Sequence, residues 1–485
     1  MIARSLRAGW LPPAAVLVAV VAAAAAYTLL AYLFSPLVAL ALPFGLLAVC
    51  AIFANPTLGI YVSLAAVPLE FLRFQAGGAA RLSPAEIVLL LSGASAVGHM
   101  LLSDRRRRFA APHVAFAALV TVVATGLVVA EKPSTVAKSV VMWSMLLALS
   151  VWVASADRRE LRTLLAVIGA VGGVVGLIAV LHGGQQELVA GGSVVTNRAQ
   201  AGFDQPNLLA FFLVLTLPVA LISGMRGPPA VRLPLLLATG LAFAGLLLTL
   251  SRGGIIGTAV ALVVLLAWTT FRRLFGGLLV LLAIFAALNA NPLAKSSEVS
   301  VVQQRLSTIV GGQETTANPR IRIWKKTPSI IGDHFLVGVG VGNYPVVAPS
   351  YGLVDLEGEP YEHAHNLFLT FAAETGLIGL AVFVWFVVAV ARTALLAIAR
   401  RTALEFPFAL ALVAALTGLL ATGMTDYPLR ENVIMALVML EVGALAAYVR
   451  LAREEAAPAA GEERAAPPPE LSPRAPRPRS SAATG

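Results

Sequence analysis

The chain has 485 residues, of which 58% are hydrophobic and only 12% charged, with a mean hydropathy of +0.85 and a net charge of +10. This balance excludes an ordinary soluble domain and fits serial membrane spans. A nucleic-acid partner is excluded as well, because Lys and Arg sit in short clusters between apolar runs, with more in the C-terminal tail, and read as topology signals.

In windows of about 20 residues, apolar spans fall near 14–34, 36–54, 56–72, 84–102, 110–130, 140–156 and 161–181. More follow near 207–224, 233–250, 255–271, 275–291, 377–398, 406–424 and 433–449. The expected fold is an all-α polytopic membrane protein of about 12–14 transmembrane helices, the crowded stretch 14–72 leaving the count open. A large loop separates the eleventh counted span from the twelfth.

Orientation follows from the basic clusters. Arg105–Arg108, Arg158 with Arg159 and Arg162, Arg226 with Arg232, Arg272 with Arg273, Arg400 with Arg401, and Arg450 with Arg453 all follow even-numbered spans. The positive-inside rule then puts these clusters and both chain ends in the cytoplasm. Arg4 and Arg7 ahead of an Ala-rich run give the start the character of an uncleaved signal anchor. Four regions are expected: an N-terminal transmembrane bundle (1–291), a periplasmic loop with short helices (292–365), C-terminal transmembrane helices (366–450) and a disordered cytoplasmic tail rich in Pro, Ala, Glu and Arg (451–485).

The opposite face receives 74–83, 131–139, 182–206, the Leu250–Gly254 turn and the long 292–365 stretch, so polar chemistry concentrates outside. Arg198, Arg252 and Arg320 stand out there, because an arginine at a membrane edge is costly unless paired or solvated. Arg252 has no acidic residue nearby in sequence, and the following Gly253 and Gly254 would admit a diphosphate to the backbone and the next helix N-terminus. Its bland alternative is an interfacial arginine reaching lipid headgroups. Pro319 starts a helix on which Arg320 and Trp324 share a face while Arg322, Lys325 and Lys326 point elsewhere; a basic amphipathic surface helix explains the same pattern. The Gly338–Asn343 run fits close backbone packing as well as phosphate binding.

In the run from His363 through Gly379, His365 carries the strongest chemical case, since imidazole can take a proton from a sugar hydroxyl near neutral pH. Asn366 can cap the following helix, Glu374 and Tyr361 are close in sequence, and Gly376 and Gly379 allow tight helix contact. His99, His113, His182 and His334 read as structural, Glu441 as helix packing, and Asp426 with Arg430 as a local ion pair. The chain has one cysteine, Cys50, no Asp-x-Asp and no zinc-ligand spacing. Asp355, Glu357, Glu359 and Glu362 read as a solvated acidic rim, so no metal and no cofactor are expected.

His365 and Asn366 followed by Gly376 and Gly379 resemble the signature of bacterial O-antigen ligases and their relatives, the O-antigen and exopolysaccharide polymerases and some protein O-oligosaccharyltransferases. The likeness extends over roughly 198–430 and takes in Arg198, Gly202, Phe203, Pro206 and Asn207, the Ser251–Gly254 turn, Arg320 with Trp324, and Gly338–Tyr344. Thr425–Arg430 resembles a segment of exopolysaccharide polymerases.

The resemblance implies a GT-C-like membrane glycosyltransferase that takes a glycan from undecaprenyl diphosphate at the periplasmic face of the inner membrane and transfers it to lipid A core oligosaccharide, within lipopolysaccharide biosynthesis. Arg198, Arg252 and Arg320 would hold the diphosphate and His365 would activate the acceptor hydroxyl, with inversion and without a metal. His363 would tune His365 or bind the acceptor. A polymerase of the same family, differing in its acceptor, is the alternative. A transporter of lipid-linked glycans is the alternative of another class, disfavoured because the spans are nearly chargeless and the cations collect at one face.

Overall fold

A computed structural model describes residues 36–72, 74–75, 81–102, 109–183, 186–189, 193–196, 198–266, 319–355, 358–399 and 405–464. The apolar runs expected at 14–34 and 275–291 lie outside these residues, as do the N-terminal anchor and the end of the tail. The architecture is all-α and multi-pass. Its helices are α1 (Pro36–Ala54), α2 (Pro56–Ala66), α3 (Pro84–Leu102), α4 (Ala111–Val129), α5 (Pro133–Ala154), α6 (Arg158–His182), α7 (Pro206–Arg226), α8 (Pro229–Leu248) and α9 (Arg252–Leu266). After them come α10 (Pro319–Asp333), the short α11 (Tyr344–Val347), α12 (Leu367–Ala399), α13 (Phe406–Gly423) and α14 (Asn432–Arg464). Two antiparallel ribbons, β1 (Phe74–Gln75) with β2 (Arg81–Leu82) and β3 (Gln186–Val189) with β4 (Ser193–Thr196), decorate loops only.

Among the described residues, 9 helices are long and apolar enough to cross a membrane: α3 to α8, α12, α13 and α14. Shorter apolar helices run Gly45–Ala54, Pro56–Leu69 and Arg252–Leu266. In the span windows of α7 and α14, 89% of residues are buried, so these two helices form the centre and the others wrap them. Small residues set the spacing: a Cβ on Gly176 would lie 2.5 Å from Leu241 O, which locks α6 against α8. Likewise a Cβ on Gly257 would lie 2.7 Å from Gly418 O, so α9 seats on α13 through bare backbone. That contact fixes where the start of α9 and the end of α13 meet.

The two ends of the bundle differ in chemistry. At one end, Arg162 pairs with Glu405 at 2.6 Å, Arg158 with Glu455, and Arg450 donates to Ala154 O and Ala156 O. These are the basic loops that follow even-numbered spans. The other end gathers the loops around Arg198, Arg252, Arg320, His365 and Asp426. Glu441, mid-helix in α14, is fully buried and neither carboxylate oxygen meets a hydrogen-bond partner among the described residues.

Helix α5 begins at Pro133, inside the expected 131–139 loop, and two further boundaries differ from expectation. Helix α14 continues to Arg464, so the tail expected from 451 begins with helix; its first residues are rich in Ala, Glu and Arg, which favour that conformation. Helix α12 starts at Leu367 rather than 377 because it is broken: Gly376 has φ 66° and ψ −174°. The expected 377–398 span is the part beyond the break.

Candidate functional site

The break in α12 explains both glycine clusters. The segment Phe335–Gly340 runs beside it and supplies the backbone bonds the helix lacks: Leu377 N donates to Phe335 O at 2.7 Å, Val339 N to Ala373 O at 3.0 Å, and Gly340 N to Glu374 O at 2.8 Å. A Cβ on Gly376 would sit 2.2 Å from Leu336 O, and one on Gly338 (φ 68°) 2.3 Å from the carbonyl carbon of Glu374. The contact is helix to loop, which corrects the expectation of tight helix contact at Gly376. Gly379 faces its own helix, where an added Cβ would lie 2.1 Å from Thr375 Oγ1. Glu374 accepts Gly342 N at 3.0 Å, so this carboxylate, close to His365 in sequence, serves the glycine loop instead. Tyr361 is likewise turned away, its hydroxyl accepting from Arg322 at 3.0 Å.

Just before α12 the chain makes a strained turn. Asn366 Oδ1 accepts the N–H groups of Phe368 and Leu369, both at 3.0 Å, capping α12 as its residue type allows, and its amide donates to Met424 O at 2.8 Å. His365 is forced to φ 49°. Among the described residues, the non-glycine positions with positive φ are Ala201, Leu250 and His365, all on loops at this end of the bundle. Each such residue costs about 1–3 kcal/mol and persists where surrounding structure over-determines it.

Asp426, in the loop after α13, is the hub. Its Oδ1 lies 3.2 Å from His365 Nδ1 and accepts Tyr427 N at 2.9 Å, while Oδ2 accepts from Asn207 Nδ2 at 2.8 Å and pairs with Arg320 at 3.3 Å. Asn207 Oδ1 in turn accepts from Arg198 at 2.7 Å, and the Arg198 Nε donates to Thr249 O at 2.7 Å. Thr249 opens the turn that ends at Arg252, the exposed first residue of α9, and a Cβ on Gly253 would lie 3.4 Å from Thr425 Oγ1. The structure thus brings Arg198, Arg320, His363 and His365 into one network, with Arg252 at its border. Trp324 donates to Ala364 O at 2.9 Å and so props the histidine turn from the Arg320 face of α10. Arg322 and Lys326 bind loop carbonyls on other faces.

The expectation that Asp426 pairs with Arg430 is corrected. Arg430 pairs with Glu362, which also accepts from Gln205 at 3.2 Å, because the short helical turn Pro428–Arg430 swings that side chain away from Asp426. Glu362 is thus paired while its side chain remains exposed, as the solvated rim reading has it. His363 is 3% exposed and its Nδ1 accepts His365 N at 3.1 Å, so it stabilises the strained turn and burial leaves it no surface for an acceptor. His99, His113 and His182 bond to Phe53 O, Ser150 and Ile178 O, in keeping with structural roles.

The electrostatics assign the tautomers. Burial alone would raise the Asp426 carboxyl, but the hydrogen bond from His365 and the charge of Arg320, joined by His363 and His365 whenever these are protonated, outweigh it and hold the group well below the usual carboxylate range. As a carboxylate it can only accept, so His365 Nδ1 carries the proton and Nε2 presents the lone pair. Burial, then the neighbouring His365, push His363 well below its ordinary value, so it stays neutral near pH 7. Ligand atoms of His363, His365 and Asp426 lie within 4.8 Å of one another, a spacing open to a cation. Against that, the other oxygen of Asp426 is already committed to Arg320 and Asn207. An apolar cavity of about 120 Å³ begins under the site at Leu367, Pro428 and Leu429 and runs between α12, α13 and α14.

Sequence reasoning placed the arginines and His365 but relegated Asp426, although a lone acid closing a nearly chargeless span was the available signal.

Residues 237–384 match the family model described as O-antigen ligase. The matched segment contains Arg252, Arg320, Trp324, His363, His365, Gly376 and Gly379, whereas Arg198, Asn207 and Asp426 lie outside it and join it only in space. The match supports a membrane enzyme of the O-antigen ligase and polymerase type. No curated protein matches the chain. One solved structure, described as "Structural coordination of polymerization and crosslinking by a peptidoglycan synthase complex", contains a chain similar to this one at 17% identity, covering 70% of this chain and 96% of that one with a TM-score of 0.39. That likeness is too weak to bear on fold or activity.

Proposed function

We propose that this protein is an O-antigen ligase, transferring a glycan from undecaprenyl diphosphate to a hydroxyl of lipid A core oligosaccharide at the periplasmic face of the bacterial inner membrane. The observation that carries the reading is the Asp426–His365 pair set beside Arg320 and Arg198, at the end of the bundle opposite the basic loops. Asp426 fixes Nδ1–H of His365, leaving Nε2 to take the acceptor's O–H proton, a contribution of about 100- to 10,000-fold. The acceptor oxygen then attacks the anomeric carbon from the side opposite the carrier. The bond from that carbon to the phosphate oxygen breaks, its electron pair stays on the diphosphate, and the anomeric centre inverts.

The leaving diphosphate needs positive charge held in place before reaction. Arg252 at the start of α9 supplies a guanidinium and a helix N-terminus together. Arg320 and Arg198, tethered through Asp426 and Asn207, complete the anionic subsite, and the cavity beginning at Leu367 gives the carrier's chain an apolar path. This chemistry is complete without a metal; inhibition of the purified protein by a chelator, reversed by a divalent cation, would overturn that part.

A polymerase of the same family would share the donor machinery and differ only in its acceptor, and the Thr425–Arg430 segment favours keeping that reading. Purified protein given carrier-linked donor and a choice of lipid A core or a second carrier-linked glycan separates the two by product. His365→Ala should abolish transfer while leaving the protein folded and donor-binding. Full transfer by that variant would sink the general-base role.

A further inference from the structure

Away from the site, at the basic-loop end, the bundle contains a separate cavity of about 590 Å³ between α4, α12 and α14. Asn432 of α14 lies at the site end and Arg450 lines this cavity, about 27 Å along the helix axis at 1.5 Å per residue, close to the thickness of a bilayer's apolar core. The cavity therefore sits at the opposite membrane boundary.

Its lining mixes cations and apolar groups. Three arginines, Arg392, Arg450 and Arg453, belong to it. Arg450 is immobilised, donating through Nε to Ala154 O at 3.3 Å and through Nη1 to Glu454 at 3.1 Å, and so closes the end of α5. Among the described residues, Glu454 is the one carboxylate in the lining, and it is engaged by that pair. Arg392 and Arg453 are exposed and form no ion pair among the described residues. Beside the arginines, Phe109 (65% exposed), Leu396 (43% exposed) and Val449 present apolar surface.

We infer that this cavity is a binding site for an anionic phospholipid of the adjoining leaflet, its phosphate held by Arg392 and Arg453 and the first part of its acyl chains lying on Phe109, Leu396 and Val449. A zwitterionic lipid brings a cation against the same arginines, whereas an anionic headgroup does not, and a guanidinium binds phosphate oxygens in bidentate fashion. The arrangement matches basic pockets between transmembrane helices that recognise lipid headgroups by charge. An exposed guanidinium at a membrane boundary lies within reach of lipid headgroups, and the lipid phosphate supplies the counter-ion.

The test uses the full chain in nanodiscs of phosphatidylcholine doped with phosphatidylglycerol, with retained lipid read by native mass spectrometry after gentle extraction. The wild type should retain phosphatidylglycerol over phosphatidylcholine, and R392Q/R453Q should lose about tenfold or more of that preference while keeping its helicity and its glycan transfer. Arg450 is spared because it ties down α5. No preference in the wild type, which needs no variant to be folded, would overturn the inference, as would an undiminished preference in the double variant. Inorganic phosphate at millimolar concentration should fail to displace the lipid; displacement would make the cavity a free-phosphate site and overturn the lipid assignment. Loss of transfer in His365→Ala with the lipid preference intact keeps this result separate from the catalytic one.

Discussion

Asp426 Oδ1 and His365 Nδ1 lie 3.2 Å apart, although 61 residues separate them in the chain. The carboxylate comes from the loop closing α13 and the imidazole from the strained turn opening α12, so the pair depends on how two helices stand against each other. It has the logic of an oriented base: an ionised, buried acid fixes the ring, and the outward nitrogen is left to act.

Asp426→Asn should lower kcat by about 100-fold or more, within the range general-base catalysis supplies, with little change in donor KM. The Asn can present an amide N–H to His365 and turn the proton-bearing nitrogen outward. A pH–rate profile checks it: loss of activity at every pH supports the orienting role, and an unchanged kcat removes it.

Arg252→Gln should reduce kcat/KM for the carrier-linked donor by about 100-fold, the effect of removing one positioned donor to a developing anion. Arg252→Lys should recover only part, because an ammonium keeps the charge and loses the bidentate fork. Arg320→Gln should be worse than its diphosphate contact alone predicts, since it also removes a charge that keeps Asp426 ionised. Equal effects of the two Gln variants on the pH profile would refute that added role.

Gly376→Ala should destabilise the protein by more than about 1–3 kcal/mol, the cost of a positive φ alone, because the new methyl would also meet Leu336 O at 2.2 Å. Gly379→Ala should cost less, because its φ is ordinary and its clash, with Thr375 Oγ1 at 2.1 Å and Cβ at 2.2 Å, involves one side chain rather than the backbone of the docked loop. Thermal unfolding in detergent ranks the two. Comparable losses would mean that the loop docked on α12 is not what Gly376 serves.

Burial, with the neighbouring His365, holds His363 neutral in the folded protein well below its ordinary value. The unfolded chain takes up that proton near pH 6.5. From there downward the unfolded state binds more protons at this ring, so the contribution of His363 to stability should fall as pH drops from about 7 to 5. Asp426, held low, adds nothing in that window, because its stabilisation is lost only below the ordinary carboxylate range. His363→Asn should flatten the melting temperature against pH, and an undiminished slope would assign the effect to other groups.

The sequence by itself determined the class, the approximate spans and the side on which chemistry collects. These rest on local quantities: runs of apolar residues long enough to span a membrane and arginines in the loops between them. It also picked out His365 and the three arginines, because charged or titratable groups are conspicuous in a chain with few of them. The break at Gly376, the docking of Phe335–Gly340 beside it and the partnership of Asp426 with His365, Arg320 and Asn207 were decided only in three dimensions. Asp426 has Arg430 four residues away, and local spacing favours that pair. The tertiary fold overrides it by sending Arg430 to Glu362 and bringing α10, α12 and the Asn207 end of α7 around one carboxylate. In a nearly chargeless interior a buried acid must be satisfied by whatever donors the packing delivers, and which donors those are is a property of helix placement rather than of spacing along the chain.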